Sequence, residues 1–116
     1  MASGIYNRFK ANLLEGKCNL SDESAADVIR VALLDDNHSF SATDNVWADV
    51  SANELPLAGG YVPIGQVLGN QAVTQAASTK WDADDISWAD ATFTAYHAVM
   101  YDDSLDDDDL ILSIDF

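Results

Sequence analysis

The chain has 116 residues, 48% of them hydrophobic, and a formal net charge of −15. That length suits one domain with one modest core, and the apolar content excludes an acidic disordered tail. No apolar run approaches the ~20 residues of a membrane-spanning helix, and phosphates would be repelled by such a charge, so neither a membrane nor a nucleic acid is expected as partner.

The N-terminal stretch MASGIYNRFKAN lacks the apolar core of a secretory signal, so no export signal is expected. A short helix is predicted within residues 3–15, running from Ser3 to Leu14. Ser3 would be its N-cap, and Gly16 would stop it. Ile5, Phe9 and Leu13 recur at four-residue spacing and would share one face. A helix this short must dock to be stable, on its own sheet or on a neighbouring subunit. Cys18 is the sole cysteine, which rules out an internal disulfide and argues against a cysteine-based zinc site. Its expected place is a small half-buried apolar position.

Residues 19–27 read as a polar linker into a β-rich body over 27–116. Val28 to Leu34 is a buried strand by length and β-branching. Arg30 inside it must reach an edge or a carboxylate, because an unpaired buried charge is costly. Residues 35–45 are turn-rich, and Val46 to Val50 is a short strand candidate. Pro56 and the pair Gly59-Gly60 mark an exposed loop continuing through Tyr61 and Pro63. Tyr61 to Val73, with Pro63, Gly65 and Gly69, suits an irregular edge strand. Ala72 to Lys80 reads as strand then turn.

The clearest strand is Ala91 to Tyr101. Its two faces are both apolar or aromatic, as in a central strand covered on both sides. Leu110 to Phe116 alternates, with Leu110, Leu112, Ile114 and Phe116 on one face and Ser113 and Asp115 on the other. These two strands form an antiparallel hairpin around the Asp-rich loop 102–109. The expected fold is mainly β with some α: one short N-terminal helix and five to seven short strands in a small antiparallel sandwich or barrel.

Charge is lopsided. Residues 1–30 balance to zero, whereas residues 31–116 hold Lys80 alone against 16 acidic residues. Aspartate outnumbers glutamate 17 to 3, a skew that suits a saline environment, where screening relaxes like-charge repulsion. Asp102, Asp103, Asp106 and Asp108 are weak calcium candidates, as is the cluster of Asp82, Asp84 and Asp85. Neither run has the ligand alternation of an EF-hand, and a solvated acidic loop is the simpler reading. His38 and His97 lie in no metal or protease motif, and His97 reads as a hydrogen-bonded core residue. No nucleophile elbow or phosphate loop is present, so no enzyme activity, cofactor or metal is expected. Trp47, Trp81 and Trp88 with Tyr61, Tyr96 and Tyr101 offer either core packing or a sugar-binding platform.

Five segments follow one another in a suggestive order: IYNRFKANLL, VIRVALLDDNHSF, NVWADVSANEL with its GGY loop, DISWADATFTAYHAVMYDD and DLILSIDF. In these the chain resembles a family of small virion structural proteins of tailed bacteriophages and prophages. The resemblance covers most of the chain through packing and turn motifs, and it carries no catalytic residues. It implies a virion component, and the first expectation is a capsid decoration or cement protein on the major capsid shell, assembled in the host cytoplasm and oligomeric within the particle. Ile5, Phe9 and Leu13 would then be shell or inter-subunit contacts. A neck or tail protein of the same virion is the alternative, as is a host-surface module using the loop of Gly59, Gly60, Tyr61 and Pro63. A calcium-dependent carbohydrate-binding domain using the Asp loops is another. The family pattern continues past IDF with a Gly-rich turn and a further strand, where this chain stops. It is therefore a shorter member, or its last strand is an open edge completed by a neighbour.

Overall fold

The computed structural model describes residues 3–20 and 27–116. Most of the predicted linker lies outside them. Among the described residues, seven strands and one helix occur in the order β1 (Gly4–Ile5), α1 (Asn7–Glu15), β2 (Ile29–Leu34), β3 (Gln66–Val67), β4 (Ala72–Gln75), β5 (Thr79–Asp82), β6 (His97–Asp102) and β7 (Asp109–Asp115). Five strands form an antiparallel sheet in the order β1-β7-β6-β2-β3, and β4 and β5 form a separate hairpin. The protein is thus mainly β with one short N-terminal helix, a small antiparallel sandwich whose outer layers are the helix, the hairpin and the long loops.

Three expectations at the N-terminal end are corrected. Ile5 belongs to β1, and the helix begins only at Asn7, with Tyr6 in the N-cap position and no side-chain cap. Ser3 is not that cap; its hydroxyl accepts the Asp115 N–H at 2.8 Å. The helix does stop at Gly16, which takes the left-handed conformation at φ 72°. Finally, β7 is no open edge, because β1 pairs with it through Gly4–Ser113 and Ile5–Leu112. The sheet's real edges, β1 and β3, are two residues each, which leaves little backbone to template aggregation.

Strand β6 is central and almost wholly buried, as its two apolar faces predict. It is shorter than expected, since residues 91–96 lie outside it. The register beside it contains a bulge. Met100 pairs with Leu112 but Tyr101 pairs with Leu110, so Ile111 is the extra residue. The bulge breaks the predicted alternation of β7: Leu110 joins Tyr101 on one face, while Leu112 and Ile114 share the other with Met100 and Ala98.

Each face of the sheet is covered. On one, Ala32, Leu34, Val99, Tyr101 and Leu110 pack under Tyr6, Val50, Phe40 and Trp47. On the other, Ile29 and Ile111 pack with Leu68 under Phe9, Leu20, Trp81 and Ile86, and Leu33 and Ala98 pack under Leu55, Tyr61, Trp88 and Phe93. The stretch Val46 to Val50 is not a strand. Residues Trp47–Asp49 form a 3-10 turn, which the Asp49 carboxylate caps by accepting the Asn45 and Val46 N–H groups at 2.9 and 3.2 Å. Arg30 meets the condition set by its burial, since its Nε donates to Asp103 Oδ2 at 2.9 Å.

Candidate functional site

Ile5, Phe9 and Leu13 do not form one stripe. Phe9 is turned into the sheet among Ile29, Leu68 and Ile111. Ile5 in β1 is 48% exposed, and Leu13 on α1 is 49% exposed. Ile5 is accompanied by side chains that helical spacing does not reveal. With Ser3, Gly4, Leu112, Ser113 and Ile114 it lines a shallow apolar cleft of about 300 Å³ at the β1 edge. Phe116 at 70% and Leu14 at 91% are also exposed. The β1–β7 pairing that gathers this cleft joins residues more than a hundred positions apart, beyond the reach of local periodicity.

The loop of Gly59, Gly60, Tyr61 and Pro63 is only partly a surface feature. Gly59 and Gly60 turn the chain with φ of 62° and 94°. Gly60 is exposed and Pro63 half-buried, but Tyr61, expected to be exposed, is buried at 1%. Its hydroxyl accepts the Leu33 N–H at 3.2 Å and donates to Glu54 Oε2. Ala32 and Leu33 sit where β3 has ended and the bridge from Leu34 to Glu54 has not begun, so the phenol fills part of a two-residue gap in the ladder. Beside it, Leu55, Pro56, Ala58, Gly59, Thr92 and Phe93 line a cleft of about 240 Å³. The tryptophans are spent on packing. Trp47 stacks on Tyr101 at 4.7 Å, Trp88 packs against Tyr61 and Phe93, and Trp81 Nε1 donates to the Leu20 carbonyl.

The four calcium candidates do not converge on one point. Asp106 is exposed, Asp103 pairs with Arg30, and Asp108 lies in a left-handed turn at φ 55°. Asp102 points inward and is 1% exposed. It accepts from Cys18 Sγ at 3.3 Å and from the Ser104 N–H at 3.0 Å. One ligand atom each from Cys18, Asp27 and Asp102 lie within 4.8 Å of one another. Among the described residues this is the one grouping of thiol and carboxyl groups tight enough for a metal ion. Burial, then the neighbouring Asp27 carboxyl, pushes Asp102 up to about 7. Burial likewise pushes the Cys18 thiol well above its usual range, which makes it a poor nucleophile. This cluster escapes sequence reading, since Cys18 and Asp102 are 84 positions apart.

Both histidines are buried. His97 Nδ1 lies 3.4 Å from Asp115 Oδ1, within ion-pair range. His38 Nε2 lies 3.0 Å from Ser113 Oγ. That serine–histidine pair is sealed, each residue being 1% exposed. Comparison of the chain with protein-family models, with curated proteins and with solved structures gives no match.

Proposed function

We propose that this chain is a structural protein of a tailed-bacteriophage virion, a decoration protein that cements the major capsid shell. The carrying observation is the ordered run of packing motifs by which the chain resembles such proteins. The disposition of its side chains supports the same reading. Its thiol is half-buried, and both imidazoles and the Asp102 carboxyl are buried within the fold. Exposed apolar groups stand at the β1 edge and on α1, where Ile5, Ile114, Leu13 and Leu14 are available to a neighbour, and also in the loop that carries Leu57, Val62 and Ile64. The strongly acidic body would face solvent. Many weakly held copies would act together by avidity, adding buried area that resists pressure from inside the particle. A neck or tail position in the same particle is the second reading, because an edge that seats on a shell also seats on a ring of another protein.

The test is co-sedimentation of the purified protein with undecorated shells of the phage or prophage that encodes it. Binding that Ile5→Asp and Leu13→Asp each weaken at least tenfold, with unchanged circular dichroism, supports decoration. No binding to shells with retained binding to isolated necks or tails moves the protein there. Binding to neither refutes a virion role.

A further inference from the structure

His38 and His97 arrive from separate parts of the chain and pack edge to face, with ring centroids 5.0 Å apart and planes at 75°. Both are buried, His38 in the turn-rich loop 35–45 and His97 at the start of β6. The loop lies across the sheet at this point. Phe40 packs on Tyr6 and sits so close to Gly4 that a Cβ there would strike its ring. The Ala42 carbonyl accepts the Asn7 N–H at 3.0 Å, which ties the loop to the start of α1.

We propose that the His38–His97 pair is an acid-operated latch, which holds loop 35–45 on the sheet while His38 is neutral and releases it when His38 takes up a proton. The titratable and charged groups around the pair come from every element packed against it. The loop supplies Asp35, β6 supplies His97, β7 supplies Asp115 beside His97, and the junction of β1 and α1 supplies the Tyr6 hydroxyl near Ser113. Among the described residues, the carboxylate paired with an imidazole is Asp115, and it is paired with His97. A proton on His38 therefore places a cation in packed surroundings, against a second imidazole, with a serine hydroxyl as its hydrogen-bond partner. Burial, and then repulsion from His97, hold His38 below its ordinary value of 6.5, with Asp35 opposing.

The sign follows from linkage. Once the loop opens, His38 regains its ordinary affinity for protons, so the open form binds more of them. Closure is complete above the ordinary value, and the open fraction grows by up to about tenfold per pH unit below it, until the closed-state value is reached. Release would lift Phe40 from Gly4 and free the Asn7–Ala42 bond. It would expose the sheet face beside the β1 edge while β6 stays paired.

The experiment is amide hydrogen exchange by NMR on the whole chain, at about pH 7.5 and about pH 5, as protection factors corrected for intrinsic rates. Side-chain titration of both imidazoles accompanies it. In the wild-type protein, protection of the Asn7 and His38 amides, which donate to the Ala42 and Asp35 carbonyls, should fall severalfold at the lower pH while Val99 and Met100 hold theirs. His38 should titrate below its ordinary value. In His38→Gln, which keeps a neutral partner for Ser113, loop protection should be the same at both pH values. Unchanged loop protection in the wild-type protein, an ordinary His38 titration, or loss in step with β6 would each overturn the latch. The wild-type measurements decide it even if the variant fails to fold.

Discussion

Replacing Asp102 by Asn should make this acidic protein more stable at neutral pH, and the reason lies in the Cys18–Asp27–Asp102 cluster. The folded Asp102 carboxyl is pushed from 3.8 up to about 7, first by burial and then by Asp27. Between those values the folded chain holds a proton that the unfolded chain has released. Stability on this account is fully present below about 4 and is lost as pH rises through about 7. A displacement of about three pH units corresponds to at most ~4 kcal/mol, and sharing of the proton with Asp27 lowers the part that belongs to Asp102 to roughly 2–3 kcal/mol. Asparagine is nearly isosteric. Its oxygen still accepts the Ser104 N–H, while the amide nitrogen at the Oδ2 position gives up the weak bond from the Cys18 thiol and donates toward Asp27 with no proton to lose. Urea unfolding of both proteins at about pH 4 and about pH 8 measures the effect. The variant should match the wild-type protein at the lower pH and exceed it by about 2 kcal/mol at the higher one. Equal pH dependence in the two proteins would refute the reasoning and mean that Asp102 ionises freely in the folded state.

Tyr61→Phe should cost about 1–3 kcal/mol in chemical denaturation, because it orphans the Leu33 N–H in the gap beyond β3 and leaves Glu54 without its donor; a loss under ~0.5 kcal/mol would mean another group fills the gap. Gly65→Ala should be worse, on the order of 3 kcal/mol by thermal unfolding, since φ is 85° and the new Cβ would lie inside the Val31 carbonyl oxygen. Gly16→Ala, strained only in φ with open space around it, should cost on the order of 1 kcal/mol in the same assay. The melting temperature should rise as NaCl is raised from low to molar concentration, because the repulsion among 20 acidic residues is screened; a flat profile would show that the surface charges are already far enough apart.

The parts of this fold legible in the sequence are those that local pattern fixes. The apolar run before Asp35 gives β2, the doubly apolar faces of β6 give a central strand, and Gly16 gives the helix stop. Where two structures satisfy one spacing, the pattern misleads. Ile5, Phe9 and Leu13 fit a helix, but they also fit a strand residue followed by two helical ones, and the edge of β7 selects the second. Val46 to Val50 is apolar enough for a strand, yet the Asp49 carboxylate draws the backbone into a 3-10 turn. The Gly59-Gly60 pair correctly signals a turn, but nothing local says that the adjoining Tyr61 swings inward to serve a distant strand. The sites are less legible still. The β1 cleft, the Cys18–Asp27–Asp102 cluster and the histidine pair all join residues from distant stretches, and only the sheet order brings them together.

The proposed virion role is tested by counting copies of this chain in purified particles. Quantitative mass spectrometry would measure its molar ratio to the major capsid protein. A decoration protein should be present at a ratio near one, or at a simple fraction such as about one third, in keeping with a symmetric shell. A ratio of a few per cent would place the protein in the neck or tail, and its absence from the particle would refute a virion role.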